Sequence, residues 1–289
     1  MKNLLLVVNP LSGGSNKRKW LKLLKTFLQP SYSIAYTQRP GHATELAREA
    51  DADVVVAVGG DGTVNEVARG LIGSEKALGI VPCGSGNGLA LHLGILPLPL
   101  HVLSTLNEGT ITSMDYGLVN GKPFFCTAGM GLDADVAWRF ASSSRRGLMT
   151  YIVLAWQLWK HFKPQQYTID IDGKVITTPA VFVTVGNANQ WGNEAKIADQ
   201  ASVRDGMLNL VIVKPFRTRE IPVLAAKLMD GRAHTSHRVQ TLEGKHIVIE
   251  RELAGPIHFD GDPIQAGTRI ELEIVPKALR VLIPKNREI

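Results

Sequence analysis

The chain has 289 residues, of which 45% are apolar and 20% are charged, and its formal net charge is +6. This composition excludes a disordered or fibrous chain and allows one large domain or two ordinary ones. The positive charge favours an anionic partner, and no apolar run reaches the about 18 residues of a membrane-spanning helix. Two cysteines exclude a disulfide framework, and without a signal-peptide cleavage region at the amino terminus they favour a reducing cytoplasm.

The amino-terminal part of the chain alternates apolar, β-branched runs with amphipathic segments, which predicts alternating strands and helices. Strands are predicted at 4–8, 33–37, 54–58 and 77–81, and helices around 20–28, 42–50, 63–71 and from about 89. This order predicts an α/β domain over 1–112 with a doubly wound parallel sheet. Loops rich in Gly, Ser, Thr and Asn follow three of the strands and are expected to converge on one crevice.

From about residue 113 the pattern changes to short β-prone runs joined by tight turns. Asn120-Gly121 and Asp172-Gly173 are strong hairpin signals. Strands are predicted at 115–119, 124–128, 167–171, 175–178, 181–185, 208–213, 239–242, 246–250, 257–259 and 269–275, and helices at 132–141, 147–161 and 218–229. The second domain, 113–289, is therefore expected to be a mainly antiparallel β-sandwich or barrel, from which 279–289 could return to the first domain.

The turn after the third strand has the character of a phosphate cradle. Gly59, Gly60 and Gly62 let a ligand approach the backbone, and the helix that follows offers unpaired N–H groups. Asp61 would repel phosphate unless a cation lay between them, so Mg²⁺ is expected to accompany it. The plainer alternative is a strand-to-helix turn in which Asp61 caps the helix. The P-loop pattern and the Gly-x-Gly-x-x-Gly pattern are both missing from the expected places.

The run Gly-Gly-Asp-Gly-Thr-Val-Asn-Glu-Val at 59–67 resembles the diacylglycerol kinase catalytic-domain family. This family includes bacterial lipid kinases and the sphingosine and ceramide kinases, and it shares the fold of NAD kinase and phosphofructokinase. Further family motifs occur in the same order over nearly the whole chain: Asn9-Pro10 with Ser12-Gly13-Gly14, Thr37, 82–87, 128–134, Asp205-Gly206 and Phe259-Asp260-Gly261-Asp262-Pro263. The resemblance implies transfer of the γ-phosphoryl group of ATP to the hydroxyl of a diacylglycerol, sphingoid base or related lipid, with Mg²⁺.

The resemblance also implies roles for individual residues. Contacts with ATP are expected from Asn9, Gly13, Thr37, Gly59, Gly60, Asp61, Gly62, Thr63, Asn65, Glu66, Gly84, Ser85, Gly86 and Asn87. Asp61 is expected to hold Mg²⁺ and take part in catalysis, and Asp262 to act as the catalytic base. A structural Mg²⁺ is implied at Ser202, Asp205 and Met207.

The chain departs from the family pattern at two places. Bacterial members usually carry Gly-Thr-x-Asn-Asp where this chain has 84–88 with Gly88 last; the Gly-Ser-Gly-Asn form is closer to sphingosine kinases. Asp262 replaces a family Glu, which shortens the base by about 1.5 Å. Either the turn is displaced to compensate, or catalysis is weaker, or Asp260 shares the role.

Partners follow from the implied activity. The lipid is expected at a membrane surface, reached by peripheral contact from the cytoplasm, with no nucleic acid partner and a homodimer left open. The apolar run 148–159 is read as a buried helix or as one that lines a slot for acyl chains, with Tyr151, Trp156 and Trp159 suited to a membrane interface. Lys17–Lys19 is read as the solvated face of a helix or, because it follows the Ser12–Gly14 loop, as a contact with the nucleotide. The rival functions are a soluble-metabolite kinase resembling NAD kinase and a catalytically weak nucleotide or lipid sensor.

Overall fold

The computed structural model describes residues 2–10, 16–143, 148–285 and 287. The chain forms two compact units, one made of residues 1–115 with 277–289 and the other of residues 116–276. No helix in the described ranges has the length and hydropathy needed to cross a bilayer.

The first unit is built on a parallel sheet. Its elements in chain order are β1 (Asn3–Val8), α1 (Asn16–Phe27), β2 (Ser31–Tyr36), α2 (His42–Glu49), β3 (Val54–Gly59), α3 (Asp61–Leu71), β4 (Ala77–Pro82), α4 (Gly88–His92), α5 (Pro99–Glu108) and the start of β5 (Thr110–Val119). The strand order is β2-β1-β3-β4 with every pair parallel. The direction of winding reverses between β1 and β3, and in such sheets the crevice beyond the carboxyl ends at that point binds ligands.

The second unit is a sandwich of two antiparallel sheets with three helices on one outer face. Its further elements are β6 (Lys122–Phe124), β7 (Thr127–Gly131), α6 (Leu132–Ala141), α7 (Leu148–Trp159), β8 (Gln165–Ile171), β9 (Lys174–Ala180), β10 (Phe182–Gly186), β11 (Leu208–Val213), α8 (Ile221–Met229), β12 (Val239–Gly244), β13 (His246–Arg251), β14 (Gly255–Phe259), β15 (Asp262–Ala266) and β16 (Arg269–Ile283). One sheet has the order β12-β11-β10-β7-β14-β15 and the other includes β16-β13-β8-β9. The main core lies between them, around Phe124, Met130, Tyr167 and Ile249. The predicted fold class is therefore confirmed.

The last strand answers a question that the sequence left open. β16 begins in the second unit, and its final residues return to the first, where Arg280 and Val281 pair in parallel with Ala77 and Leu78. Residues 279–283 thus extend the parallel sheet beyond β4.

Two predicted elements were wrong in detail, and two elements were not predicted. The single strand expected at 124–128 is two strands, because the backbone N–H groups of Phe125 and Cys126 bind the carboxylate of Asp260. The helix expected at 218–229 starts as a 3-10 turn at 218–220, and α8 begins only at Ile221, since Pro222 has no N–H to donate to a preceding turn. The strand β15 and the helix α5 were not predicted.

Candidate active site

Two glycine loops of the first unit touch each other through their backbones. A Cβ atom placed on Gly84 would lie 2.7 Å from the Cα of Gly60, and one on Gly60 would lie 3.2 Å from the Cα of Gly84. The N–H of Cys83 donates to the carbonyl of Gly59 over 2.8 Å. The loops after β3 and β4 are therefore one continuous surface, as their glycines predicted, and a side chain at residue 84 would force them apart.

The carboxylate of Asp61 fixes one loop to the other. Its Oδ2 accepts the N–H of Asn87 at 2.9 Å, and its Oδ1 accepts the N–H of Gly88 at 2.7 Å. Asp61 thus holds the start of α4 in place. The alternative in which Asp61 is the N-cap of its own helix, α3, is wrong, since the N-cap is Gly60 and Asp61 is the first residue of the helix. Burial raises the pKa of Asp61, and hydrogen bonds from the backbone N–H groups of Gly88, Asn87 and Asp61 itself oppose that rise. A carboxylate has about four acceptor sites, so the predicted contact with Mg²⁺ is compatible with these bonds and stays a prediction.

The loop after β1 joins the same surface. Asn9 donates from Nδ2 to the Oγ1 of Thr63 over 3.3 Å. The side chain of Lys17 is buried, so the solvated helix face expected there is wrong for this residue, and its Nζ donates to the carbonyl of Asn9. A contact with the nucleotide, the other alternative for this residue, stays a prediction. Gly13 lies outside the described residues.

The asparagine of the second glycine loop holds that loop in shape. Asn87 has a left-handed backbone with φ of 55°, accepts the N–H of Gly84 at 2.9 Å and returns a bond to the Gly84 carbonyl at 2.9 Å. Ser85 is exposed and Gly86 half-buried, so both present polar groups to solvent.

Three further residues predicted to contact the nucleotide, Thr37, Asn65 and Glu66, lie in the first unit. Thr37 is buried and donates its N–H to the carbonyl of Val8 over 3.0 Å, at the end of β1. Asn65 is buried within α3. The Oε2 of Glu66 accepts the N–H of Ala43 at 3.2 Å, at the start of α2. Contact of these three residues with a nucleotide stays a prediction.

In the second unit, the predicted base lies at the turn of the β14–β15 hairpin. The neighbouring carboxylate of Asp260 accepts three backbone N–H groups: Phe125 at 2.8 Å, Cys126 at 2.7 Å and Thr127 at 3.1 Å. Asp260 also donates its own N–H to Thr127 over 2.8 Å. This arrangement makes Asp260 an anchor of the hairpin, so of the three alternatives for the shortened base, a shared catalytic role for Asp260 is the least favoured. Asp262 is exposed beside it.

The predicted structural Mg²⁺ site is a turn with one carboxylate. Asp205 accepts the N–H of Met207 at 2.9 Å, and the hydroxyl of Ser202 accepts the N–H of Arg204 at 3.3 Å. Carboxylate, hydroxyl and backbone oxygens suit Mg²⁺, which keeps several waters and needs only one or two carboxylates. The donors therefore fit the ion, although the described ranges hold no cluster of three His, Cys, Asp or Glu residues suited to a metal. Binding at this turn stays a prediction.

An apolar cavity of about 270 Å³ lies in the second unit, between the outer face of one sheet and the three helices. Its walls include Val136 of α6, Tyr151 of α7, Leu224 of α8 and Val213 of β11. The apolar run 148–159 was predicted to be a buried helix or a helix that lines a slot for acyl chains. The buried helix is wrong, because none of residues 149–159 is buried, whereas Tyr151 and Ala155 of α7 line the apolar cavity.

One acidic residue forms part of the wall of this apolar cavity. Asp133, at the start of α6, lines the cavity and is buried. Its Oδ2 accepts the hydroxyl of Thr184 at 2.9 Å and lies 3.2 Å from Nε2 of His258, and a Cβ on Gly129 would overlap both groups. Because His258 belongs to β14, its contact with Asp133 connects the wall of the cavity to the hairpin that carries Asp262.

Comparison with known proteins places this geometry in a family. Residues 3–119 match the model of the diacylglycerol kinase catalytic domain, and residues 126–283 match that of the YegS C-terminal NAD kinase beta sandwich-like domain. The chain is 29% identical to a protein of Bacillus subtilis named diacylglycerol kinase, over 99% of this chain and 98% of that one. It is 31% identical to a Chromohalobacter salexigens protein named "Probable lipid kinase YegS-like", over 88% and 84%.

Solved structures show the same fold. A diacylglycerol kinase from Bacillus anthracis matches with a TM-score of 0.74 at 22% identity, over 98% of this chain and 96% of that one. An NAD kinase from Archaeoglobus fulgidus in complex with ATP matches with a TM-score of 0.55 at 13% identity, over 98% and 94%. The chain therefore belongs to the family of lipid kinases that join a diacylglycerol kinase catalytic domain to a YegS-type β-sandwich-like domain.

Proposed function

We propose that this protein transfers the γ-phosphoryl group of ATP to a hydroxyl of a diacylglycerol, a sphingoid base or a related lipid. The first unit would bind ATP and the second would bind the lipid. The proposal places the protein in the cytoplasm with transient peripheral contact at the inner membrane surface; homodimer formation is left open.

The observation that carries the proposal is the apolar cavity. Lipid chains need an apolar pocket, and pockets for small ligands are apolar concavities with a few placed polar groups. The cavity has the apolar part of this character: the side chains of Phe182, Phe216 and Leu228 contribute to its walls, which are almost entirely apolar. A kinase for a small soluble metabolite would not need an apolar cavity to bind its acceptor. The cavity thus favours a lipid acceptor over the soluble-metabolite rival.

The glycine loops support ATP as the phosphoryl donor. Backbone N–H groups at Gly60–Thr63 and at Ser85 and Gly86 suit phosphate oxygens, and Lys17 brings a positive charge to the neighbouring loop. ATP would enter as its Mg²⁺ complex, in which the ion neutralises phosphate charge. The fold shared with an NAD kinase solved in complex with ATP is consistent with this donor.

The chemistry left to the protein is positioning and proton removal. The glycine loops would hold the phosphates in place, and the carboxylate of Asp262 would accept the proton of the acceptor hydroxyl as that oxygen attacks the γ-phosphorus. The bond between the γ-phosphorus and the β,γ-bridging oxygen would break in the same step, and ADP would leave. A lipid whose chain filled the cavity would have its polar end near Asp133 and His258. Since His258 and Asp262 share a hairpin, the acceptor hydroxyl would be directed towards the base.

The test is transfer of radiolabelled phosphate from ATP to a total lipid extract in mixed micelles with Mg²⁺. The wild type should label a lipid, and Asp262→Ala should lower that labelling by a factor of about 10² to 10⁴. Gln265→Ala, an exposed change in the same strand, serves as the matched control and should keep full activity. Label that persists in Asp262→Ala would remove Asp262 as the base but keep the kinase.

A second variant tests the cavity itself. Ala155 lines the cavity, and Ala155→Trp should fill it, which should suppress lipid labelling while ATP binding is kept. Bound ATP without labelled lipid in the wild type would favour the sensor. Phosphate transfer to NAD without lipid labelling would favour the soluble-metabolite kinase.

A further inference from the structure

A buried polar pair joins the helix α6 to the hairpin β14–β15. Nε2 of His258 lies 3.2 Å from Oδ2 of Asp133, and the same oxygen accepts the hydroxyl of Thr184 at 2.9 Å. The side chains of Asp133 and His258 are 3% and 5% exposed. The proposed reaction assigns neither of them a catalytic role.

Folding stability alone does not explain this pair. Taking a carboxylate and an imidazole out of water is costly, and apolar side chains of similar volume are often as stable or more stable at such a place. Nδ1 of His258 adds to the cost, because it is buried and has no hydrogen-bond partner among the described residues. Gly129, which pairs with His258, leaves the space in which the two groups meet. A polar contact built at such a cost indicates a function beyond folding.

His258 is connected to the predicted base through a tight hairpin. Phe259 pairs with Asp262, and His258 pairs with Pro263, the residue that follows Asp262. The two turn residues between the strands have φ of 51° and 86°, and positive φ at both positions is typical of the type I′ turn. A two-residue turn leaves no slack between the strands, so a shift of β14 at His258 would also shift Asp262.

Charged or polar side chains hold this hairpin at three places. Arg251 donates to the carbonyls of Gly255 at 2.6 Å and Ala266 at 3.1 Å, at the open end of the hairpin. Asp260 holds the turn at the other end. His258 lies between these ends, on the face that packs against α6. The two end contacts join the hairpin to loops and strands, whereas the central contact fixes its distance from a helix.

We infer that His258 is a positioning residue, which sets the place of Asp262 through its contact with Asp133. Proton removal depends on the exact position of the base, and a displacement of about 1 Å can lower a rate about 10²-fold. A hydrogen bond to a buried carboxylate fixes both a distance and a direction. The inference rests on the proposed function, because that function gives Asp262 its role as base.

Steady-state kinetics of phosphate transfer from ATP to a total lipid extract in mixed micelles test this role. His258→Leu should lower the apparent kcat about tenfold or more and leave the KM for ATP unchanged, because the glycine loops lie in the other unit. His258→Gln keeps an N–H donor for Asp133 and should restore most of the activity. A His258→Leu variant with wild-type kcat, or a His258→Gln variant as impaired as His258→Leu, would overturn the inference.

Thr184→Val is the matched control for stability. It removes the other donor to the same carboxylate oxygen, but from β10, which does not carry the base. Thr184→Val and His258→Leu should lower the melting temperature by similar amounts, and Thr184→Val should keep the wild-type kcat. Equal losses of kcat in these two variants would make the contact a general structural one and contradict the inference.

A double variant tests whether His258 acts through Asp133. Asp133→Asn combined with His258→Leu should lower kcat no further than His258→Leu alone, because residues that act through one contact are not additive. Losses that multiply would show that the two residues act independently, which would also contradict the inference.

Hydrogen exchange separates this inference from the proposed function. The backbone N–H groups of residues 259–266 should exchange about tenfold faster in His258→Leu than in the wild type, and at the wild-type rate in Thr184→Val. A wild type that labels no lipid would count against the proposed function, while the exchange rates would still decide whether His258 fixes the hairpin. Unchanged exchange in His258→Leu would overturn the positioning role whatever the activity.

Discussion

Asp260 and Asp172 occupy equivalent positions in two hairpins of the second unit. Each has a left-handed backbone, with φ of 51° and 50°, and each precedes a glycine with φ of 86° or 88°. Each carboxylate also accepts backbone N–H groups of a neighbouring segment, and for Asp172 these are Lys245 and His246, both at 2.9 Å. The two aspartates differ in their neighbours, because only Asp260 lies beside the predicted base, Asp262.

The pair gives a matched test of positioning. Asp260→Asn should lower kcat of lipid phosphorylation at least about tenfold with little change in the KM for ATP, because the turn that carries Asp262 loses charged acceptors. Asp172→Asn should cost similar stability, about 1–3 kcal/mol, and keep its activity. Thermal unfolding and steady-state kinetics on both variants decide the matter. Equal activity loss in the two variants would reduce Asp260 to a general structural role.

A substitution at Gly62 tests the phosphate cradle without an accompanying change in the stability of the protein. A Cβ on Gly62 has no atom within 4 Å, and its φ is not positive, so Gly62→Ala should leave the melting temperature unchanged. If ATP phosphates approach this backbone, the added methyl should still weaken ATP binding about tenfold. Calorimetry with ATP measures the effect, and Gly267→Ala, equally open in the second unit, is the control. Unchanged affinity would place the phosphates elsewhere.

At the scale of elements, the start of α8 is held by an ion pair. Arg238 donates to Glu220 from Nε at 2.9 Å and from Nη2 at 3.1 Å, and the N–H of Arg217 donates to the same carboxylate at 2.8 Å. These bonds lower the pKa of Glu220 from 4.5 to about 2, and the bonds from Arg238 have the largest effect. The stabilisation is therefore complete above pH 4.5 and is lost as the pH falls towards 2.

This gives a prediction on pH dependence. The melting temperature of the wild type should fall more steeply than that of Glu220→Gln as the pH is lowered from about 4.5 to 2, and the two curves should run parallel above that window. Calorimetry over this range measures the difference. Glu252→Gln, another exposed carboxylate of the second unit, should track the wild type. Parallel curves throughout would show that the pair has no effect on folding.

The predicted helices and strands also show which parts of the fold local sequence patterns specify. The helix at 132–141 and the strand at 208–213 were predicted with their exact bounds, because apolar periodicity alone specifies them. The break between β6 and β7 was not predicted, because its cause is a carboxylate more than 130 positions along the chain. A local pattern carries no information on such a contact.

At the scale of the molecule, the chain crosses between its units twice, at β5 and at β16. Leu279, Val281, Leu282 and Ile283 of the returning segment are buried in the first unit. Burying four such side chains contributes about 6–12 kcal/mol, which is comparable with the entire stability of a domain, about 5–15 kcal/mol. The carboxyl-terminal strand should therefore be indispensable to the first unit.

A truncated chain tests this dependence. A chain ending at Pro276 should lose the unfolding transition of the first unit and ATP binding, whereas a chain ending at Lys285 should keep both. Scanning calorimetry and ATP titration are the measurements. A first unit that still melts cooperatively without residues 277–289 would show that β4 tolerates an open edge.

The sequence by itself determined the class of fold, the glycine loops and the family. These features depend on patterns within a few tens of residues, such as strand-turn-helix spacing and the run at 59–67. The tertiary structure decided that Asp61 holds the start of α4, that Lys17 is buried against Asn9, and that Asp260 anchors the hairpin of Asp262. It also decided that α7 walls a cavity on one face and meets solvent on the other. These outcomes depend on which distant backbone groups meet each side chain, and only the packing of the folded chain sets those partners.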